Sequence, residues 1–294
     1  MRALARENAA MEIEPIGDLA EPSPVARKVA RLRAIVRSLD SAVVAYSGGV
    51  DSAFVLRIAV EQLGERALAV TTSSAAVPAH ELAEARELAR AVGGRHVVVS
   101  TDEVAIADYA KNPINRCYFC KDNLYRICHE HAERHGLAAI VDGVNVDDLG
   151  DHRPGLGAAA EQRIRHPLVE AGMTKSDVRE ASRALGLATA EKPASPCLAS
   201  RFPYGTAITH ERLHQVERAE AALRALGFRE FRVRYEEATA RLEIAEAEIA
   251  RCLDPELRRA IVAAVREAGF ARVVLDLAGF RSGGLNPEPH RQRP

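Results

Sequence analysis

Two groups of residues in this chain have types and spacings that could do chemistry. The first is the run Ala45-Tyr46-Ser47-Gly48-Gly49-Val50-Asp51-Ser52. It follows Ala42-Val43-Val44-Ala45, which reads as a buried parallel strand. It precedes Ala53 to Val60, apolar and long enough for the helix behind that strand. A strand, a glycine turn and a helix leave free N–H groups at the helix N-terminus, where the donors and the helix dipole attract phosphate. Gly48 and Gly49 admit an anion close to the backbone, and Ser47 and Ser52 add hydroxyl donors. No Gly-Lys-Ser/Thr follows, so this is not the Walker P-loop. The plain alternative is a glycine turn that merely closes a βα unit.

The second group is made of cysteines. Arg116-Cys117-Tyr118-Phe119-Cys120-Lys121 is a C-x-x-C between two cations, and Cys197 lies far downstream in Pro193-Ala194-Ser195-Pro196-Cys197-Leu198-Ala199-Ser200-Arg201. Nearby Arg or Lys stabilises thiolate, the form that attacks electrophiles and ligates metal. No second C-x-x-C exists, so these motifs offer no four-cysteine zinc site. Three thiolates can instead hold three irons of a [4Fe–4S] cluster and leave the fourth open to an exogenous ligand. Spacing alone leaves three unrelated reduced thiols equally open. Cys128 and Cys252 sit in helical patterns and read as fillers.

Composition bounds what these groups can serve. A chain of 294 residues allows one large or two modest domains. Its 47% hydrophobic and 4% aromatic content implies an aliphatic core. With 40 basic against 41 acidic residues, the chain carries no global footprint for nucleic acid, although a local basic patch stays open. No apolar run approaches the ~18 residues of a membrane helix, and no signal-peptide pattern opens the sequence. A cytoplasmic setting is expected, in which five cysteines serve as ligands, nucleophiles or inert thiols rather than disulfides.

The elements that must position the two groups alternate between strand and helix. Val25 to Leu39 carries a helical stripe. Ala67 to Thr72 reads as a second strand, Ala79 to Val92 as a helix, Arg95 to Ser100 as a third strand and Leu137 to Val141 as a fourth. That alternation predicts an α/β fold on an open parallel sheet, with ligands beyond the C-terminal strand ends. Ser47, Thr71 and Asp142 fall at such ends. The segment from Asp147 to Gly155 is either an exposed acidic turn or a lip over a nucleotide. Thr174 caps a helix to about Leu185, and Thr174, Lys175 and Asp177 read as structural. Beyond a boundary between Arg201 and Thr206 come a helix from Ala207 to Leu226, strands Phe231–Tyr235 and Ala240–Ile244, a helix Ile249–Ala268 broken at Leu253-Asp254-Pro255, and strand Val273–Leu277. This order predicts a small α+β domain.

Ser-Gly-Gly-x-Asp-Ser resembles the PP-loop of the ATP pyrophosphatases, which cleave ATP between its α and β phosphates. Joined to the three cysteines, the likeness becomes more specific. From about Val25 to Asn286 the chain resembles the ATP-dependent sacrificial sulfur transferases of the LarE type, which help build the nickel-pincer nucleotide cofactor of lactate racemase. The motifs that carry it are the PP-loop, Asp142-Gly143-x-Asn145-x-Asp147-Asp148 with Arg153-Pro154-Gly155, Pro193-Ala194-x-x-Cys197-Leu198-Ala199-Ser200-Arg201, and Gly279-Phe280-Arg281-Ser282-Gly283-Gly284-Leu285-Asn286. The resemblance implies an adenine nucleotide alpha hydrolase-like domain over residues 25–203. A smaller domain for substrate binding or oligomerisation follows over 204–286, with a flexible arm before residue 25 and a disordered tail after 286.

The resemblance also implies a reaction. ATP adenylates a carboxylate of pyridinium-3,5-biscarboxylate mononucleotide, pyrophosphate leaves, and sulfur then replaces AMP. ATP with Mg²⁺ would lie on Ser47, Gly48, Gly49, Val50, Asp51, Ser52, Thr71, Asp142, Gly143, Asp148 and Arg153. Asp51 and Cys197 are the implied catalytic residues. Arg232 and Arg234 share one face of a strand. They read either as a solvated sheet face or, with Arg201, Arg281, Ser282 and Glu220, as substrate-binding residues. In one branch of the family the cysteine matching Cys197 gives up its own sulfur and becomes dehydroalanine. In another, three cysteines bind a [4Fe–4S] cluster that delivers sulfide. The presence of Cys117, Cys120 and Cys197 favours the cluster branch. Implied partners are a small nucleotide substrate, further copies of the chain in rings of three or six, and other proteins of nickel-pincer synthesis.

Three alternatives make different demands. A PP-loop tRNA thiolase would need a basic surface, which a net charge of −1 does not favour. A non-catalytic nucleotide-binding partner would release no pyrophosphate. An ammonia-using amidotransferase leaves the three cysteines unexplained.

Overall fold

The computed structural model describes residues 22–150 and 154–281. Helix α1 (Pro24–Arg37) begins where Ser23 accepts a hydrogen bond from the Ala26 N–H at 3.1 Å and proline takes the first helical position. The first sheet then builds through β1 (Ala42–Ala45), α2 (Val50–Leu63), β2 (Ala67–Ser73), α3 (Ala79–Ala91), β3 (Arg95–Ser100), α4 (Ala107–Ala110), α5 (Arg116–His135) and β4 (Ala139–Val141). Its four strands are parallel, in the order β3-β2-β1-β4. All four residues of β1 are buried, as a strand covered on both faces requires. The chain winds outward from β1 through β2 to β3, then returns to place β4 on the other side of β1. The order therefore reverses between β1 and β4, where open α/β sheets bind their ligands.

Small helices α6 (Gly155–Glu161) and α7 (Pro167–Glu170) lead to α8 (Lys175–Ala184). The capping box at Thr174 and Asp177 is present on both sides. After α9 (His210–Ala225) come β5 (Phe231–Glu236), β6 (Thr239–Ile244), α10 (Glu246–Ile249), α11 (Pro255–Glu267) and β7 (Arg272–Leu275). The second sheet runs β5-β6-β7, antiparallel in its first pair and parallel in its second. The helix expected from Ala207 starts at His210 because Thr209 caps it. The expected break at 253–255 is real: Asp254 caps α11 and Pro255 opens it.

One core packs α1, α2 and α8 on one face of the first sheet, and another packs α5 and α6 on the opposite face. A third lies under the second sheet, and it takes in Ala76, Tyr109, Leu198, Ala199 and Phe202 from before position 203. Residues on both sides of position 203 thus share one apolar cluster. Among the described residues no helix is long and apolar enough to cross a membrane.

The cysteine pair is where the fold adds to the sequence reading. Cys117 and Cys120, to which the sequence reading assigns no element, fall within the first five residues of the 20-residue α5. Charged residues punctuate that helix throughout, and only Tyr125, Ile127, Cys128, His131 and Ala132 join Arg116 in its buried face. The apolar periodicity that would announce it is therefore weak. The expected tail and most of the expected arm lie outside the described residues.

Candidate functional site

The Ser47–Ser52 turn, the expected phosphate cradle, is built largely from backbone. Gly48 takes φ +76°, and an added Cβ would sit 2.7 Å from the Ala85 Cβ, so α3 packs directly against the turn. Gly49 caps α2 with no side-chain hydrogen bond, so no side chain caps the first-turn amides. Ser47 and Ser52 brace the turn: their hydroxyls lie 3.1 Å apart, the Ser52 hydroxyl accepts from the Ser47 N–H at 3.2 Å, and it donates to the Gly49 carbonyl at 3.1 Å.

The end of β4 presses against this turn. A Cβ on Gly143 would meet the Ser52 amide nitrogen at 2.6 Å, which explains glycine there. Asp142 is buried and fully engaged: it accepts from the Tyr125 hydroxyl at 2.7 Å and the Val144 N–H at 3.1 Å, and pairs with His166 at 2.7 Å. Burial opposes its ionisation, but His166, Lys121 and Tyr125 outweigh burial and hold its pKa below the usual value. The hydrogen bond to Asp142 in turn raises the His166 pKa. Thr71 donates to the Tyr46 carbonyl at 2.6 Å and meets His96 at 2.9 Å. Asp142 and Thr71 thus shape the strand ends with side chains already committed to protein partners.

Asp51 is different. One carboxylate oxygen contacts the Lys175 ammonium, and the other is buried without a well-formed hydrogen bond, the Asn145 side chain lying close to the carboxylate. Burial raises its pKa against the pull of Lys175. A buried carboxylate oxygen with spare acceptor capacity is the kind of donor a hard cation such as Mg²⁺ takes. Asp148 accepts from the Asn145 N–H at 3.0 Å and adds negative charge near Asp51. Arg153 lies outside the described residues. Lys175 was read as a plain first-turn lysine, and no local signal distinguishes it from one.

The three cysteines come together from distant segments. Cys117 and Cys120, three apart on α5, share one helical face. Cys197 reaches them because Arg116 is buried, hydrogen-bonds Asn112 and donates to the Ala199 carbonyl at 3.0 Å. The Leu198 N–H also donates to the Ala76 carbonyl at 2.8 Å. Burial raises the Cys117 thiol pKa, and Cys197 adds to the rise while Arg116 and Lys121 oppose it. Burial pushes Cys120 to about 12, again with a contribution from Cys197. Among the described residues no three His, Cys, Asp or Glu side chains are gathered tightly enough to hold a metal ion. The donor set, three thiols from two segments brought near one another, is nonetheless of the kind an iron–sulfur cluster uses. Cys128 belongs to the α5–α6 core and Cys252 to the core under the second sheet. Lys121 acts on Cys117 and Cys120 on one side and on Asp142 on the other, so thiols and strand end share a neighbourhood.

The arginines line the side nearer the second sheet. Arg201 forms a buried two-pronged pair with Glu220 at 2.8 and 2.9 Å and donates to the Cys197 carbonyl at 3.2 Å. Glu220 also accepts from the Val233 N–H at 3.0 Å. Arg234 pairs with Glu243 at 2.8 Å and donates to the Ser200 carbonyl at 2.8 Å. Arg232, buried beside them, has no carboxylate partner among the described residues and lies 4.8 Å from the Phe280 ring centre. Burial and the charges of Arg201 and Arg234 lower its pKa to about 10. Arg281 is exposed near Asp276, and Ser282 lies outside the described residues. Next to this cluster, a cavity of about 440 Å³ opens between Pro78 and His80 on one wall and Glu217, Glu220 and Arg224 on the other, with Leu198 at its edge.

Residues 25–125 match the NAD synthase family. An uncharacterized protein of Synechocystis sp. is 44% identical over 259 residues, covering 88% of this chain and 97% of its own length. The pyridinium-3,5-bisthiocarboxylic acid mononucleotide synthase of Lactiplantibacillus plantarum is 38% identical over 265 residues, covering 89% of this chain and 95% of the synthase. An uncharacterized protein of Methanocaldococcus jannaschii is 29% identical over 240 residues, covering 82% and 90%. With that synthase matched along nearly all of both chains, on a parallel sheet that carries the Ser47–Ser52 cradle, the chain belongs to the family of the pyridinium-3,5-bisthiocarboxylic acid mononucleotide synthase.

Proposed function

We propose that this chain is an ATP-dependent sulfur transferase that converts the carboxylates of pyridinium-3,5-biscarboxylate mononucleotide to thiocarboxylates in nickel-pincer cofactor synthesis. A substrate carboxylate oxygen attacks the α phosphorus of ATP. The bond from that phosphorus to the α–β bridging oxygen breaks, and pyrophosphate leaves with its electron pair. This makes AMP the leaving group at an acyl carbon that would otherwise have to expel oxide. Sulfur then adds to that carbon and AMP departs. The first-turn amides of α2 would bind phosphate, and Asp51 would hold Mg²⁺.

The observation that supports the reading is the shared neighbourhood of the thiols and the β4 end, linked by Lys121 over the Tyr125 ring and by the Tyr125 hydroxyl on Asp142, which would put sulfur chemistry beside an adenylation cradle. Cys117, Cys120 and Cys197 would hold a [4Fe–4S] cluster, which supplies sulfide when bound. In the sacrificial alternative the Cys197 sulfur attacks the acyl carbon, AMP leaves, and elimination breaks the Cβ–Sγ bond to leave dehydroalanine. Arg232, the guanidinium without a carboxylate, is the best placed to take the substrate phosphate. In this reading residues 25–203 handle ATP and residues 204–286 the mononucleotide, in a cytoplasmic homo-oligomer.

Incubation with ATP and the biscarboxylate mononucleotide tests the proposal. AMP and pyrophosphate should form only when the carboxylate is present. ADP and orthophosphate without pyrophosphate would overturn it. The mass of the protein after turnover separates the sulfur sources, because sacrifice removes one H₂S per chain and cluster delivery leaves Cys197 intact.

A further inference from the structure

Lys175 is the one cation among the described residues that pairs with the Ser47–Ser52 turn. Its backbone is held firmly. It is the first residue of α8, behind the Thr174–Asp177 capping box, and its N–H donates to Asp147 at 2.9 Å. Asp147 belongs to the loop that follows β4, so Lys175 joins that loop to the cradle. The side chain is 37% exposed, so its ammonium is open to a second anion while it contacts Asp51. Lys28 on α1 already ties α8 down, through Asp177 at 2.6 Å.

Charge supplies the second argument. Asp51 and Asp148 place two carboxylates beside the uncapped amides of α2. A polyphosphate entering there meets repulsion from both, and amides alone carry only the partial charge of the helix end. An ammonium already paired with Asp51 of the turn offsets that repulsion and can stabilise negative charge as it develops on a leaving group.

We propose that Lys175 binds the pyrophosphate half of ATP. In the empty protein it is the counterion of Asp51, and with nucleotide bound it contacts the β and γ phosphates as well. The inference rests on the adenylation reading above and adds a residue to it. Lysine suits the task because its three donors rotate freely around a point charge, whereas the guanidinium plane favours fixed two-pronged contacts.

Calorimetric titration of magnesium pyrophosphate into protein without the carboxylate substrate tests this directly. Lys175→Gln should weaken pyrophosphate binding about 10- to 100-fold, the loss expected for a hydrogen bond to a charged group. AMP binding should stay within about threefold of wild type, because AMP lacks the β and γ phosphates. Lys175→Arg should restore most of the lost affinity, which a volume or packing effect of the glutamine would not allow. Unchanged pyrophosphate affinity in Lys175→Gln overturns the inference, as does an equal loss of AMP binding. The two readings fail separately. Lys175-dependent pyrophosphate binding in a protein that never adenylates the biscarboxylate would sink the proposed function and leave Lys175 in place. Normal AMP formation with Lys175-independent pyrophosphate binding would do the reverse.

Discussion

The cradle and the thiol–arginine region reach their chemistry by opposite routes. The cradle spends eight consecutive residues, and its donors are mostly main-chain amides at a helix N-terminus. The other region draws Cys117 and Cys120 from α5, Cys197 and Arg201 from an irregular stretch, and Arg232 and Arg234 from β5. Its groups are side chains: the three arginines are buried, two of them paired with glutamates, whereas Cys120 and Cys197 are half-buried and Cys117 is exposed. A backbone site depends on turn geometry and tolerates many side chains. A side-chain site depends on long-range packing and tolerates few. Substitutions should therefore fail differently in the two places.

The largest effect is expected at Asp51, the cradle's one essential side chain in this account. Asp51→Asn should slow AMP formation by about 10²–10³-fold, the usual loss of one well-aimed electrostatic contact, with little change in melting temperature. A drop below about threefold would make Asp51 peripheral.

In the thiol–arginine region the first casualty should be stability. The Arg201 and Glu220 side chains are 6% and 5% exposed, so removing either leaves a buried charge alone. Arg201→Met or Glu220→Gln should each cost about 3–5 kcal/mol in denaturant unfolding, and the double variant should recover much of that. Additive losses would contradict the pairing.

Gly143→Ala probes the seam between β4 and the cradle. Its Cβ would press on the Ser52 backbone at 2.6 and 2.9 Å, so a cost of about 1–3 kcal/mol is expected, with weakened ATP binding because the shift would distort the proposed phosphate turn. Normal ATP affinity in that variant would show that the seam and the cradle are uncoupled.

The smallest effect is proton-linked. The Asp142 pKa is depressed and the His166 pKa is raised. The Asp142 contribution is present above the ordinary carboxyl value of about 4 and fades as pH falls through the depressed one. That of His166 is complete below about 6.5 and fades as pH rises through the raised one. The stability gap between wild type and His166→Gln should therefore peak between about pH 4 and 6.5 and narrow above that window. A gap that widens with rising pH would mean His166 is neutral in the folded protein.

The contrast between the regions also sets what could be read without coordinates. The β1–turn–α2 unit was legible because everything that makes it is contiguous, and so was the strand–helix alternation of the first sheet. The helix around Cys117 and Cys120 was not, since its buried stripe is broken by Arg, Lys, Asp and His. Lys175 and His166 were missed for a different reason. Each is remote in sequence from the aspartate it meets, and the strand order that brings them to the β4 end is set by chain crossovers rather than by local pattern. The arginines could be named, but not that Arg201 and Arg234 are held by Glu220 and Glu243 while Arg232 is left without a carboxylate.

Central to this account is the division of one reaction between two regions, adenylation at the cradle and sulfur delivery at the thiols. Cys197→Ala examines that division most directly, with ATP and the biscarboxylate mononucleotide supplied anaerobically together with sulfide. The product should be followed by mass spectrometry. The variant should still release pyrophosphate and form the acyl-adenylate or its hydrolysis products, while no oxygen of the substrate is replaced by sulfur. Sulfur incorporation at the wild-type rate would contradict the account, because Cys197 would then take no part in delivering it.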